Sequence, residues 1–257
     1  MSNLLAFLIL ISAASGINAG QFYDSTTITQ DYSVDNIISR LKSVSIEERI
    51  IGLSAIDLSK PIPPVITDQL ISLLASDVSY LAGYPLGDME YWYDSYFLRL
   101  LRIVSQTEDE RAIPLIVDSF NYASSPEARS YLATYGESAA NVLLEKMDDP
   151  HRTVSTILSL RAILDRERTH GDSLPKGLKA AIRRKMIEQI ETGRRPRRDV
   201  AVRVLGEFDD LDTIQYLQLL SETDPEYIEV KVEGKIVRVY PIREEAKKQL
   251  NKLGGNR

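Results

Sequence analysis

The residue types able to do chemistry are few and scattered. His151 and His170 are the only imidazoles in 257 residues, and there is no cysteine. Disulfides and thiolate metal sites are therefore excluded, and a zinc ion would have to draw its remaining ligands from carboxylates. Asp148-Asp149-Pro150-His151 sets acids beside a base, which acid–base or metal chemistry could use. The same residues form an acidic turn ahead of an apolar helix, where a carboxylate caps free N–H groups. That structural role is the expectation. Asp209, Asp210 and Asp212 also precede an apolar run, where negative charge favours a helix start, and they lack calcium-loop spacing. The chain has no Gly-x-Ser-x-Gly, Walker loop, dinucleotide fingerprint or His-Glu-x-x-His. No catalytic, cofactor-binding or metal-binding residue is assigned, no cofactor is expected, and the chain reads as a non-enzyme.

Two constellations suit binding. Arg183, Arg184, Lys185, Arg194, Arg195, Arg197 and Arg198 crowd together, and Glu188, Glu191 and Asp199 offset only part of that charge. Such a stretch suits an anionic partner, and Arg194 to Arg198 has the look of an inter-helix loop open to proteases. A solvated face whose arginine stems cover neighbouring helices is the plainer expectation. The second constellation is aromatic: Tyr80, Tyr84, Tyr91, Trp92, Tyr93, Tyr96 and Phe97. Successive helical residues point about 100° apart, so Tyr91, Trp92 and Tyr93 cannot all enter one core. They would form a contact patch for a protein or a glycan, or pack a loop onto the first helices. Packing is favoured, because tyrosine buries its ring and keeps its hydroxyl wet.

The elements that must position these residues are mostly helices. Val34, Ile37, Ile38 and Leu41 share one helical face. Ser45-Ile46-Glu47-Glu48 has capping-box form, with Glu48 expected to reach back to the cap. Three prolines between Lys60 and Pro64 stop the second helix, and Ile66 to Leu74 makes the third. Asp77 to Asp88 reads as a loop. Helices are expected over Glu90–Val104, Arg111–Phe120, Arg129–Tyr135, Ser138–Met147, Thr153–Leu164 and Leu174–Ile190. Ser125-Pro126-Glu127 is a strong helix start, and Arg166 to Ser173 reads as a polar link. Tyr227 to Tyr240, YIEVKVEGKIVRVY, departs from this pattern. Its alternation predicts a β-hairpin turning at Glu233-Gly234, with Glu229 opposite Arg238 and Val230 opposite Val237. An isolated hairpin is marginal in water, so it must lean on the helices or on a partner.

Met1 to Gly20 carries no charged side chain, and Leu4 to Ile11 is a continuous apolar run followed by small residues. Residues 1–19 read as a secretory signal peptide and 20–32 as a linker, with residues 33–257 forming the folded body. The expected location is therefore secreted or periplasmic. The apolar run is too short for a comfortable membrane span, so the mature chain is expected to have none. A net charge of −6 argues against global attraction to nucleic acid.

One arrangement recurs along the chain. Asp199 to Leu205 is an apolar helix that meets the Gly206 to Asp212 turn, and Thr213 to Leu220 follows as a second helix. Tyr96 to Phe120 repeats that order, with Arg111-Ala112-Ile113-Pro114-Leu115 opening its second helix, and Ile242 to Leu253 looks like a further first helix. The pattern resembles HEAT or armadillo-type repeats. The resemblance implies an all-α fold, a right-handed α-solenoid of HEAT-like helix pairs with one inserted β-hairpin. It also implies a protein-binding or scaffold module and carries no catalytic residues. A protein partner, acidic in character, is the leading expectation. The alternatives are an intracellular nucleic-acid binder using residues 183–198, and glycan binding through the aromatic patch at 91–97.

Overall fold

The computed structural model describes residues 33–82, 91–122, 125–171, 173–232 and 235–255, with the side chains of residues 91–95 outside that description. The expected signal peptide and linker also lie outside the described residues. From Val34 onward the chain packs as one compact unit. Of the described residues, 71% are helical, in twelve helices, and one two-stranded antiparallel sheet accompanies them.

The first helices are α1 (Val34–Leu41), α2 (Ile46–Ser54) and α3 (Pro64–Leu81). Ile37 and Leu41 bury the predicted face of α1. The Ser45 hydroxyl accepts the Glu48 N–H at 3.3 Å, so half of the capping box forms. The other half does not. The Glu48 carboxylate turns to Arg40 of α1 instead, at 2.5 Å, because an ion pair to the neighbouring helix competes with the backbone. Helix α3 begins with Pro64 in its first turn, where no N–H is needed. It then runs to Leu81, through residues 77–81 of the expected loop. The reason is burial. Asp77 lies on the inner face, where it accepts the Tyr96 hydroxyl at 2.7 Å, and Leu81 is fully enclosed.

The middle of the chain is α4 (Tyr91–Val104), α5 (Ala112–Ser119), α6 (Pro126–Thr134), α7 (Gly136–Glu145) and α8 (Thr153–His170). Ser125 caps α6 by accepting the Ala128 N–H at 3.0 Å. Helix α8 absorbs the first half of the expected polar link and ends where Gly171 adopts φ = 79°, a left-handed stop that favours glycine. Then come α9 (Lys176–Thr192), α10 (Arg195–Leu205) and α11 (Leu211–Thr223). Helix α10 corrects the reading of Arg194 to Arg198 as a loop, since Pro196 sits in its first turn and Arg197 and Arg198 are helical. Asp210 caps α11, accepting both the N–H of Thr213 at 3.0 Å and its hydroxyl at 2.8 Å. The hairpin strands β1 (Ile228–Val232) and β2 (Lys235–Val239) follow, and α12 (Pro241–Gly255) ends the described chain.

The helices stack in two rows. One contains α1, α3, α5, α7 and α9, each packed on the next; the other contains α2, α4, α6, α8, α10 and α12. Close packing is confined to helices at most two places apart. A single apolar core runs through the stack, from Ile37 and Leu41 at one end to Ile242 and Ala246 at the other. Polar ties accompany it at separations of 26–28 residues: Arg49 to Asp77, Lys146 to Asp118, Arg183 to Asp210 and Arg198 to Asp224. One step in the first row is loose, because α9 and α11 lack the close packing of the other steps.

Candidate functional site

The basic stretch does not form one patch. Arg183 spans the loose α9–α11 step to Asp210 at 2.6 Å and Asp212 at 3.5 Å. Lys185 turns to Asp148 at 2.7 Å and Glu188 at 2.9 Å. Arg197 donates to the Pro150 carbonyl at 2.8 Å. Arg198 is largely buried, donating to the Ile190 carbonyl at 2.7 Å and to the carboxylates of Asp224 and Glu226. Burial opposes its charge, but the hydrogen bonds it donates to Asp224 and Glu226 prevail and hold the guanidinium above its usual pKa. Four of the seven cations are thus ties between helices. Arg184, Arg194 and Arg195 remain exposed and have no partner among the described residues. Apart from Glu188, three residues from Lys185, the compensating acids lie 26–37 residues away in sequence, out of reach of any local reading of charge.

Beside the loose step opens a cleft of about 740 Å³, walled by α8, α9, the α10–α11 turn and the end of α12. Glu207 anchors it. Its side chain is 3% exposed and binds Lys252 at 2.8 Å, Arg168 at 3.0 Å and Arg161 at 3.2 Å. Two helices, α8 through Arg161 and Arg168 and α12 through Lys252, therefore converge on one carboxylate in the turn. Gly206, beside it, lies so close to α12 that a Cβ would fall 2.1 Å from Gln249 Oε1, and Gln249 is buried. Asp210 lines the same cleft. Burial alone would raise its pKa, but hydrogen bonds from the Thr213 N–H and hydroxyl, together with Arg183, bring it below the usual value. The cations facing the cleft are mostly matched by acids: Lys179 by Glu167, Arg183 by Asp210 and Lys252 by Glu207. Sequence reading saw Gly206 and Glu207 as a turn and missed the clamp, because its cations come from residues 161, 168 and 252.

The other candidates resolve unevenly. The side chains of Tyr91, Trp92 and Tyr93 lie outside the described residues, as does Tyr84. Tyr96 and Phe97 are fully buried core residues, and Tyr80 is exposed. Burial and the neighbouring Asp77 carboxylate push the Tyr96 hydroxyl well above the ordinary phenol range. Asp149 ties its own turn, accepting from the His151 N–H at 3.0 Å and from Arg152 at 2.8 Å and 3.0 Å. Burial works against its charge, yet these bonds leave its pKa lowered. His151 and His170 are both exposed. Among the described residues no group of three acidic or histidine side chains converges as a metal site would require.

The hairpin takes the predicted register, with Glu229 opposite Arg238 and Val230 opposite Val237. Its base leans on the body. Arg238 lies 4.4 Å over the Tyr227 ring, Arg243 lies 4.1 Å over Tyr240, and Arg243 Nε donates to the Asp224 carbonyl at 2.6 Å. Beyond that base no helix packs closely on either strand among the described residues. Val232 and Val237 are about half exposed, and Ile236 is 70% exposed. Compared with family models, with curated proteins and with solved structures, the chain finds no match.

Proposed function

We propose that this chain is an exported, non-catalytic α-solenoid of the HEAT type that serves as a scaffold for a protein partner. The observation that carries the reading is the two-row stack, in which each helix packs on its next-but-one neighbour. Stacked helix pairs of this kind leave long side-chain surfaces along each row, and such surfaces bind rather than catalyse. The unpaired Arg184, Arg194 and Arg195 are the part of the basic stretch left over for an acidic partner. A nucleic-acid role loses support, because Arg183, Lys185, Arg197 and Arg198 are spent on internal ties rather than lining one groove. Export rests on the charge-free apolar N-terminus.

The test begins with the partner recovered on the tagged chain from its native compartment. Reversing Arg184, Arg194 and Arg195 to Glu together should weaken capture by about tenfold or more at unchanged far-UV helicity. Arg198 is left intact, since it is tied inside the fold to Ile190, Asp224 and Glu226. Equal capture by the triple variant overturns the arginine surface. A native chain that retains its first twenty or so residues by mass spectrometry overturns cleaved export.

A further inference from the structure

The hairpin carries an edge that is complementary to itself. A two-residue connection closes the Val232–Lys235 pair, so hydrogen-bonded rungs fall at 232, 230 and 228. Glu229 and Lys231 then turn their N–H and C=O groups outward, along the free side of β1. No helix hydrogen-bonds to that side among the described residues. We infer that β1 pairs antiparallel with β1 of a second copy of this chain about a twofold axis at Val230, joining two hairpins into one four-stranded sheet.

Three observations converge on that occupant and register. Centring the pair on Val230 sets the outward groups of Glu229 against those of the second Lys231, as antiparallel rungs require. The same register places each Glu229 opposite a Lys231 and each Ile228 opposite a Val232, whereas moving the axis by one residue either way sets Glu229 or Lys231 against its own copy. Lys231 needs such a partner: within the hairpin it faces Ile236, while Glu229 already has Arg238 at 3.6 Å. Strand β2 offers no equivalent edge, because centring on Val237 would oppose Ile236 with Arg238. Finally, Ile228, Val230, Val232, Val237 and Val239 share one face of the hairpin. Two strands with a half-exposed apolar face are marginal in water, and a four-stranded sheet joins two such faces into one. This interface is separate from the arginine surface and does not depend on it.

Charge swaps in the full chain test the pairing. Light scattering after gel filtration should show the mass rising from 28.9 kDa toward twice that value with concentration. Lys231→Glu leaves the Glu229–Arg238 pair intact and should weaken dimerisation by about tenfold or more. Mixing Lys231→Glu with Glu229→Lys should restore a dimer, because the two altered strands complement each other. Lys231→Pro, which removes only an outward N–H, should leave a monomer with native helicity. The chain has no cysteine, so Val230→Cys should cross-link across the axis on mild oxidation, while Val237→Cys on β2 should not. A monomer at every concentration, a dimer insensitive to Lys231→Glu and Lys231→Pro, or equal cross-linking at 230 and 237 would each overturn the inference.

Discussion

The α5–α7 step and the α9–α11 step close the same kind of joint in different ways. At the first, the two helices pack closely, and Asp118 adds ties to Lys146 at 2.6 Å and Arg152 at 2.5 Å over an existing apolar contact. At the second, close packing is missing, a cleft opens, and Arg183–Asp210 crosses the gap, while the Glu207 clamp at the cleft's edge holds the α10–α11 turn to α8 and α12. The comparison separates ion pairs that trim a joint from ion pairs that constitute it. Dispersion and apolar burial at the first joint survive the loss of any one charge. At the second, little else spans the gap.

The largest effect is expected at Glu207. Glu207→Gln should cost about 2–3 kcal/mol in chemical denaturation, because a nearly enclosed carboxylate with three cations loses its charge. If it costs no more than a surface substitution, the clamp is not what fixes the wall of the cleft. Asp118→Asn should cost about 1 kcal/mol or less, since that pair is part-exposed and laid over close packing. The smallest effect concerns acid. Asp149 at the first joint and Asp210 at the second both have lowered folded pKa values. Their stabilisation is present above the unfolded value of about 3.9 and is lost as pH falls through the lower folded value. Asp149→Asn and Asp210→Asn should each flatten the decline in stability below about pH 4. Identical acid limbs in wild type and both variants would show that neither carboxylate is linked to folding.

Much of the scaffold could be read from spacing. Helical faces, the Ser125 and Asp210 caps and the hairpin register depend on residues within a few places of one another, and those readings hold. Misreadings arose wherever a distant residue decided the outcome. Glu48 left its capping box for Arg40, α3 continued because Asp77 met Tyr96, and Arg194 to Arg198 became a helix start whose last arginine is fixed by Asp224 and Glu226. The basic stretch shows the same limit most clearly. Seven cations are alike in sequence, yet partners up to 47 residues away, three sets of acids and one backbone carbonyl, distinguish the four that are spent from Arg184, Arg194 and Arg195, which remain available.

Confinement of close packing to helices two places apart has a kinetic consequence. Long loops need not close before contacts form, so the helical stack should fold quickly for its length and could nucleate at more than one point. The chain between α11 and α12 is the exception, since the whole hairpin intervenes before α12 returns to both α10 and α11. Pulled from its C-terminus, the molecule should yield there first. Once α12 peels away, Glu207 loses Lys252 and the α10–α11 turn loses its cover. The last helix therefore acts as the latch that sets how long the stack stays shut under load.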